Sequence, residues 1–342
     1  MSRTSNGKSR ASGRVTLAAV AAHAGVATMT ASRAISQPEL VSSLLRERVE
    51  KAVEELGYVP NRAARALASS KSNVIVVLVP SLSNAVFTAV LAGIQDALDP
   101  YGYQILIGNT RYSDAEEEKL LNVYMQSNPD GILLSGLSHS KGVEKTLATS
   151  RVPVVSMMDL STDPERVSVG FSQIQAGYQM TRYLLRKGYQ RIGFMGAQLD
   201  ERTIKRQEGY RMAMAEAGKL DPMLELMVPD PSTLALGGEL VERMRAGMPG
   251  LDAIFCCNDD LAHGAIFHCQ RHGIAVPEQL AICGFNDLPA SALMHPSCTT
   301  IATPRYQVGF EAATLLQTLI RGDQPEQQHI DLGFTVMARE SA

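Results

Sequence analysis

The chain has 342 residues, enough for two or more domains around a sizeable buried core. Hydrophobic residues make up 45% and charged residues 20%, a balance that excludes a disordered or fibrous chain. The net charge of −3, from 32 basic and 35 acidic residues, argues against a nucleic-acid partner when taken whole.

Divided along the chain, the charge says something else. Residues 1–71 hold eleven Lys and Arg against five Glu, a balance of +6, which leaves −9 on the remainder. A basic arm on an acidic body is the pattern of phosphate-contacting segments, because Lys and Arg gain affinity by releasing counterions. The five cysteines, Cys256, Cys257, Cys269, Cys283 and Cys298, are odd in number and nowhere spaced C-x-x-C. No disulfide framework or zinc site is indicated, and a reducing cytoplasm fits. With no apolar leader and no run of 18 apolar residues, secretion and membrane spanning are not expected.

In chain order, residues 1–13 are rich in Ser, Gly and charge and read as a flexible basic tail. Next, Leu17, Val20, Ala21 and Ala24 fall at i, i+3, i+4, i+7 behind Thr16, a helix with its cap. Gly25 supplies a stop, so that a second helix begins at about Thr28. Two short helices across a Gly turn form a helix-turn-helix, whose second helix enters the major groove. Its leading Thr28, Met29 and Thr30, with Arg33 behind, would face base edges, and Arg can bond guanine twice. An ordinary buried helical hairpin shows the same pattern, and context decides between the two. That context is a third helix over 43–56, closed by Gly57, then YVPNRAARALASS over 58–70. This last segment is too short to be helical alone and folds only against something.

From residue 73 the pattern becomes short β-branched runs alternating with helices. Strands are expected over 74–79, 103–108, 131–136, 152–158, 191–196, 251–257 and 280–285, and helices over 85–98, 114–126, 175–187 and 261–272. This is the pattern of βαβ units in parallel sheets, and it restarts near Asp163, giving two α/β subdomains. Ligands bind such sheets outside the carboxyl ends of the strands, so the cleft between the subdomains is the expected site. Ser81, Ser83 and Phe87 follow the first strand, Arg202 and Arg206 stand one turn apart after another, and Asn258 and Asn286 close the last two. Two guanidiniums there would clamp an anion, whereas pairing with Asp200, Glu201 or Glu208 is the plainer fate, more so for Lys205 than for Arg206.

No GxSxG, Walker A, HExxH or GxGxxG motif occurs, so no catalytic role is expected, and no cofactor or metal. His268 and His272 share a helix face at i, i+4 but have no acidic third ligand beside them in the chain, and read as an ordinary helix surface.

The stretches VTLAAVAAHAGVATMTASRAIS and ELGYVPNRAARALAS, with the order of segments behind them, resemble the lactose/galactose-repressor family of bacterial transcription regulators from Val15 to about Ala338. The resemblance implies a small all-α helix-turn-helix headpiece and an α/β core like a periplasmic binding protein, built of two parallel-sheet subdomains. It implies a headpiece over 14–59, a hinge helix and linker over 60–72, and a core over 73–342. The core would divide into 73–162 with 290–325, and 163–289 with 326–342. It places Thr16, Thr28, Met29, Thr30 and Arg33 on DNA, with Asn61, Ala64 and Leu67 in the minor groove, where a Leu wedge would kink the duplex.

In the core it matches Asp159, Arg206, Asn258 and Thr303 to effector positions and Asp259 to a helix-capping one. Asn286 stands where sugar-binding members usually carry Asp, and a neutral amide tolerates an anion that a carboxylate repels. Ala19 replaces a usual acid, Ala27 a usual Ser cap, and TASR a usual TVSR, which implies a headpiece less stable by about 1 kcal/mol. GAQLDERTIKRQEGY, PSLSNAVF and IDLGFT look like the gluconate-operon repressor branch. The expected partners are double-stranded operator DNA, a sugar-acid effector and a second copy of the chain, the last as a dimer because no heptad helix follows IDLGFTVMARESA. Another sugar, a sugar phosphate or ketogluconate remains an alternative effector. A periplasmic solute-binding protein would need a signal peptide, and a sugar kinase a phosphate loop.

Overall fold

The computed structural model describes residues 15–59 and 72–342. The expected tail over 1–13 and the hinge residues Asn61, Ala64 and Leu67 lie outside them. The chain divides into two compact units between Ser72 and Asn73.

The first unit holds α1 (Leu17–Ala24), α2 (Thr28–Ser36) and α3 (Ser43–Leu56). Thr16 caps α1, its Oγ1 accepting from the Ala19 N–H at 3.2 Å. Gly25 ends the helix at φ 64°, a left-handed conformation that costs glycine little. Val20, Ala21, Ala24, Ala31, Ala34, Val49 and Ala52 form the core, and the many alanines let the three helices approach closely. His23 and Glu55 join α1 to α3 at 2.7 Å. Ala27 precedes α2 with no side-chain cap, as its methyl group dictates.

The second unit contains two parallel sheets. The larger has the order β11–β5–β4–β3–β1–β2, from β1 (Val74–Val79), β2 (Gln104–Asn109), β3 (Gly131–Ser135), β4 (Val154–Met157), β5 (Ser168–Gly170) and β11 (His329–Asp331). The smaller has the order β7–β6–β8–β9, from β6 (Ile192–Gly196), β7 (Glu225–Met227), β8 (Ala253–Cys256) and β9 (Ala281–Cys283). Ile75 to Val79 are buried throughout, because helices cover both faces of a parallel sheet.

Helices α4 (Ala85–Leu98), α5 (Asp114–Met125), α6 (Lys141–Ser150) and α11 (Arg305–Arg321) go with the larger sheet. The smaller is flanked by α7 (Gln173–Arg186), α8 (Glu201–Glu216), α9 (Leu234–Gly247) and α10 (Asp259–Arg271). Three helix pairs meet backbone to backbone, each through two glycines. A Cβ on Gly93 or Gly309 would collide with the facing main chain between α4 and α11, as would one on Gly177 or Gly209 between α7 and α8, or on Gly237 or Gly264 between α9 and α10.

Sheet membership changes the expected division of the core. β5 and β11 hydrogen-bond into the larger sheet, although the expected boundaries at 163 and 326 assign them to the other subdomain. β10 (Thr300–Ala302) pairs with β12 (Thr335–Met337), and the bridges Cys283 to Thr299 and Asn286 to Ala302 hold it against the β9 end of the smaller sheet, not the larger. The chain thus crosses between the sheets three times, after Gly170, after Ala302 and after Asp331. Short edge strands carry too little periodicity to reveal this in the sequence. All five cysteines are buried and unpaired. Among the described residues, no helix is long and apolar enough to cross a membrane.

Candidate functional site

Two surfaces hold the expected site residues that the structure describes, one in each unit. On α2, Ala31 and Ala34 face the headpiece core, which turns Thr28, Met29 and Arg33 outward. Met29 is 66% exposed although large and apolar, a side chain free to contact base edges and thymine methyls. Thr30 is half-buried beside them, and Thr16 uses its hydroxyl oxygen as the α1 cap.

In the core unit, the carboxyl ends of the two sheets face a cavity of about 420 Å³. Seven of the expected residues line it: Ser81, Ser83, Phe87, Arg202, Arg206, Asn258 and Asn286. The loop after β1 brings the two serines, whose hydroxyls lie 3.2 Å apart, and Asn84 caps α4 by accepting from the Val86 N–H at 2.9 Å. Asn258 caps α10, accepting from the Leu261 N–H at 3.1 Å while its amide donates to Ser232 Oγ at 2.7 Å.

The two arginines differ. Arg202 is held by Asp200, with Nη2 donating at 2.6 Å and Nε at 3.2 Å, and its plane lies 5.3 Å from the Phe87 ring. Burial raises the Asp200 pKa, but the charge of Arg202 and the Thr203 N–H outweigh it and hold the carboxyl at about 2. This pair is internally neutral. Arg206 meets only neutral acceptors: Nε donates to Gln173 Oε1 at 2.8 Å and Nη1 to the Cys257 carbonyl at 2.6 Å. Its guanidinium lies 3.7 Å above the Phe285 ring. Burial draws its pKa down to about 10, so it stays charged at neutral pH with no carboxylate bonded to it. The expected clamp of two free cations is therefore one free cation beside a neutralised one.

Asn286 adds a second unmet demand. It sits at φ 113° with its N–H bonded to the Ile301 carbonyl at 2.8 Å, and its Oδ1 is buried without a partner. A buried acceptor left open costs about 1–3 kcal/mol, which a hydroxyl donor from a ligand would relieve.

Asp159 and Thr303 do not line the cavity, contrary to expectation. The Asp159 carboxylate is taken by Lys205 at 2.5 Å, because burial makes an unpaired charge costly there. Thr303 lies behind Asn286 and donates to its carbonyl at 3.5 Å. Asp259 is no cap either. Its oxygens accept from the Leu288 N–H, Ser291 Oγ and Thr300 Oγ1, tying the loops after β9 to α10.

Among the wall residues that sequence reasoning missed are Asn84, Tyr112, Gln198, Ser232 and Asp260. Tyr112 stands in the loop after β2, where the strand-end rule pointed. Asp260 has its pKa raised by burial and then by Asp259. The first turn of α8 also leans on the larger sheet, with Arg202 Nη1 donating to Ser135 Oγ and the Ser138 N–H to Glu201, both at 3.2 Å.

Residues 16–61 match the family described as Bacterial regulatory proteins, lacI family, and residues 181–342 match the Periplasmic binding protein-like domain. The chain is similar to the HTH-type transcriptional regulator GntR of Pseudomonas aeruginosa, 46% identical over 342 residues and covering 100% of both chains. Among solved structures it is similar to transcription regulator GntR from Chromobacterium violaceum, 50% identical with a TM-score of 0.77, covering 78% of this chain and 98% of that one. A lacI-family regulator from Silicibacter pomeroyi is 34% identical with a TM-score of 0.89, covering 96% and 99%.

Proposed function

From the premise that the chain belongs to the lacI family of bacterial regulatory proteins, we propose that it is a homodimeric repressor that leaves a palindromic operator when a sugar acid enters the core cavity. That it is a DNA-binding transcription regulator and not an enzyme follows from the family itself. The observation that carries the effector reading is Arg206, a buried guanidinium bonded only to neutral oxygens. A ligand carboxylate supplies the missing counter-charge, and such charge-assisted bonds are the strong ones. Ser81, Ser83, Asn84 and Ser232 offer hydroxyl and amide partners for a polyol chain, and Asn286 Oδ1 awaits a donor. Gluconate, a carboxylate on a polyol, has both groups.

Two headpieces presenting Thr28, Met29, Thr30 and Arg33 read the half-sites, with Asn61, Ala64 and Leu67 in the minor groove between them. The effector acts by its differential affinity for the states that do and do not hold DNA. The protein works in the cytoplasm, where operator DNA is. Calorimetric titration of gluconate, ketogluconate, a sugar phosphate and glucose, beside a gel shift on operator DNA, tests this. Gluconate is expected to bind and to dissolve the complex. Equal binding of glucose would overturn the anion reading, and an intact complex at saturating gluconate would overturn release.

A further inference from the structure

Of the acids on the cavity wall, Asp200 is paired with Arg202, whereas no hydrogen bond or ion pair engages the Asp260 carboxylate among the described residues. Asp260 stands in the first turn of α10, two residues after the capping Asn258, and shares its part of the wall with Ser232, Thr233 and Leu234. Close helix packing sets these neighbours. Gly264, one turn along α10, lies against the Leu234 carbonyl, which brings the start of α9 beside the start of α10.

The surroundings leave this carboxylate in need of donors. Burial, and then Asp259, raise its pKa, with His263 pulling the other way. A desolvated carboxylate of this kind gains from every hydrogen-bond donor that reaches it. The charges that bear on it are Asp259 and His263, whereas those that bear on Arg206 are Asp200 and Arg202, so the unpaired acid and the free cation occupy different parts of the cavity. The two parts differ in chemistry. Ser232 Oγ accepts from the Asn258 amide and Thr233 Oγ1 from the Leu236 N–H, which leaves each hydroxyl its own hydrogen to give beside the accepting Asp260. The guanidiniums offer donors alone. A polyol hydroxyl both donates and accepts and suits the first part, while a carboxylate only accepts and suits the second.

On the reading of this cavity as a sugar-acid site, we propose that Asp260 is a specificity-determining residue: its carboxylate accepts hydroxyl hydrogens from the polyol chain of a ligand whose own carboxylate lies on Arg206. Asp260 then selects a hydroxylated acid over a plain one and fixes which way round the ligand enters. A carboxylate that made no such contact would act in the opposite sense, since it would only repel the incoming anion.

The sign of one substitution therefore decides. Calorimetric titration of the full chain with gluconate, and with gluconates lacking one hydroxyl each, is compared between the parent and Asp260→Asn at neutral pH. Asp260→Asn should bind gluconate at least about tenfold more weakly, because hydrogen bonds to a charged acceptor are lost. With at least one deoxy analogue, which the parent itself binds weakly, the gap between parent and variant should shrink. Unchanged or tighter gluconate binding by Asp260→Asn would overturn the proposal, as would an equal gap for every analogue, the mark of an effect on the fold alone. Asp260→Ser, a residue equally at home in a first helical turn, repeats the comparison should a thermal melt show that Asp260→Asn is unfolded. Failure of the parent to bind gluconate or any analogue would be a different result, overturning the sugar-acid reading and this assignment with it.

Discussion

Arg202 and Arg206 are equivalent in sequence, one turn apart on α8, yet one is spent on Asp200 and the other meets only neutral acceptors. The difference is depth. Arg202 stays beside the acid that caps its own helix, whereas Arg206 reaches Gln173 and the Cys257 carbonyl, where no acid lies in bonding range. Asn286 faces the same space, so Asn286→Asp would set a carboxylate against the incoming anion and lower sugar-acid affinity by at least about tenfold, read by calorimetry. Affinity for a neutral polyol should change far less. Asp200 has an acid signature of its own. Its pKa is depressed to about 2, so the stability it lends is present above the unfolded value near 3.8 and is lost as pH falls through 2. At 1.36 kcal/mol per unit this amounts to about 2 kcal/mol. Urea unfolding from pH 5 to pH 2 should show a shallower decline for Asp200→Asn than for the parent chain. Parallel curves would mean the pair contributes nothing.

Among elements, the contact of α7 with α8 decides where Arg206 sits. Gly177 lies against the Arg206 main chain, so a methyl group there forces the helices apart. Gly177→Ala is expected to cost about 1–3 kcal/mol by overpacking and to weaken the effector by shifting Arg206. A thermal melt and a calorimetric titration separate the two effects, and a variant with unchanged affinity would show that Arg206 tolerates the shift. The elements themselves were largely legible. The caps at Thr16 and Gly25 and the helix starts at Thr28 and Ser43 follow from local chemistry that the chain states outright. The wall of the cavity was legible only where a strand end was already in view, as at Ser81 and Asn258. Ser232 arrives there through the pairing of β7 with β6, which the sheet sets and no local pattern encodes, whereas Gln198 stood just past an expected strand end and was passed over. Asp159 was misplaced because its partner, Lys205, is 46 residues away.

For the whole molecule, the net charge of −3 conceals opposite signs in the two units. Operator affinity should therefore fall steeply with salt even though the protein is acidic. A loss on the order of 10³-fold between about 50 and 200 mM salt is expected for a dimer contacting several phosphates. A flat dependence in gel shifts would mean the basic segment does not meet the backbone.

The three crossings between the sheets also bear on synthesis. Neither subdomain is a continuous stretch of chain: the larger sheet waits for β11, and β10 of the other subdomain waits for β12. Both are completed only once residues 329–337 have been made. A product cut short before His329 thus lacks an edge of each subdomain at once. The two halves of the effector sensor reach their final form together, and no early fragment holds a finished copy of either.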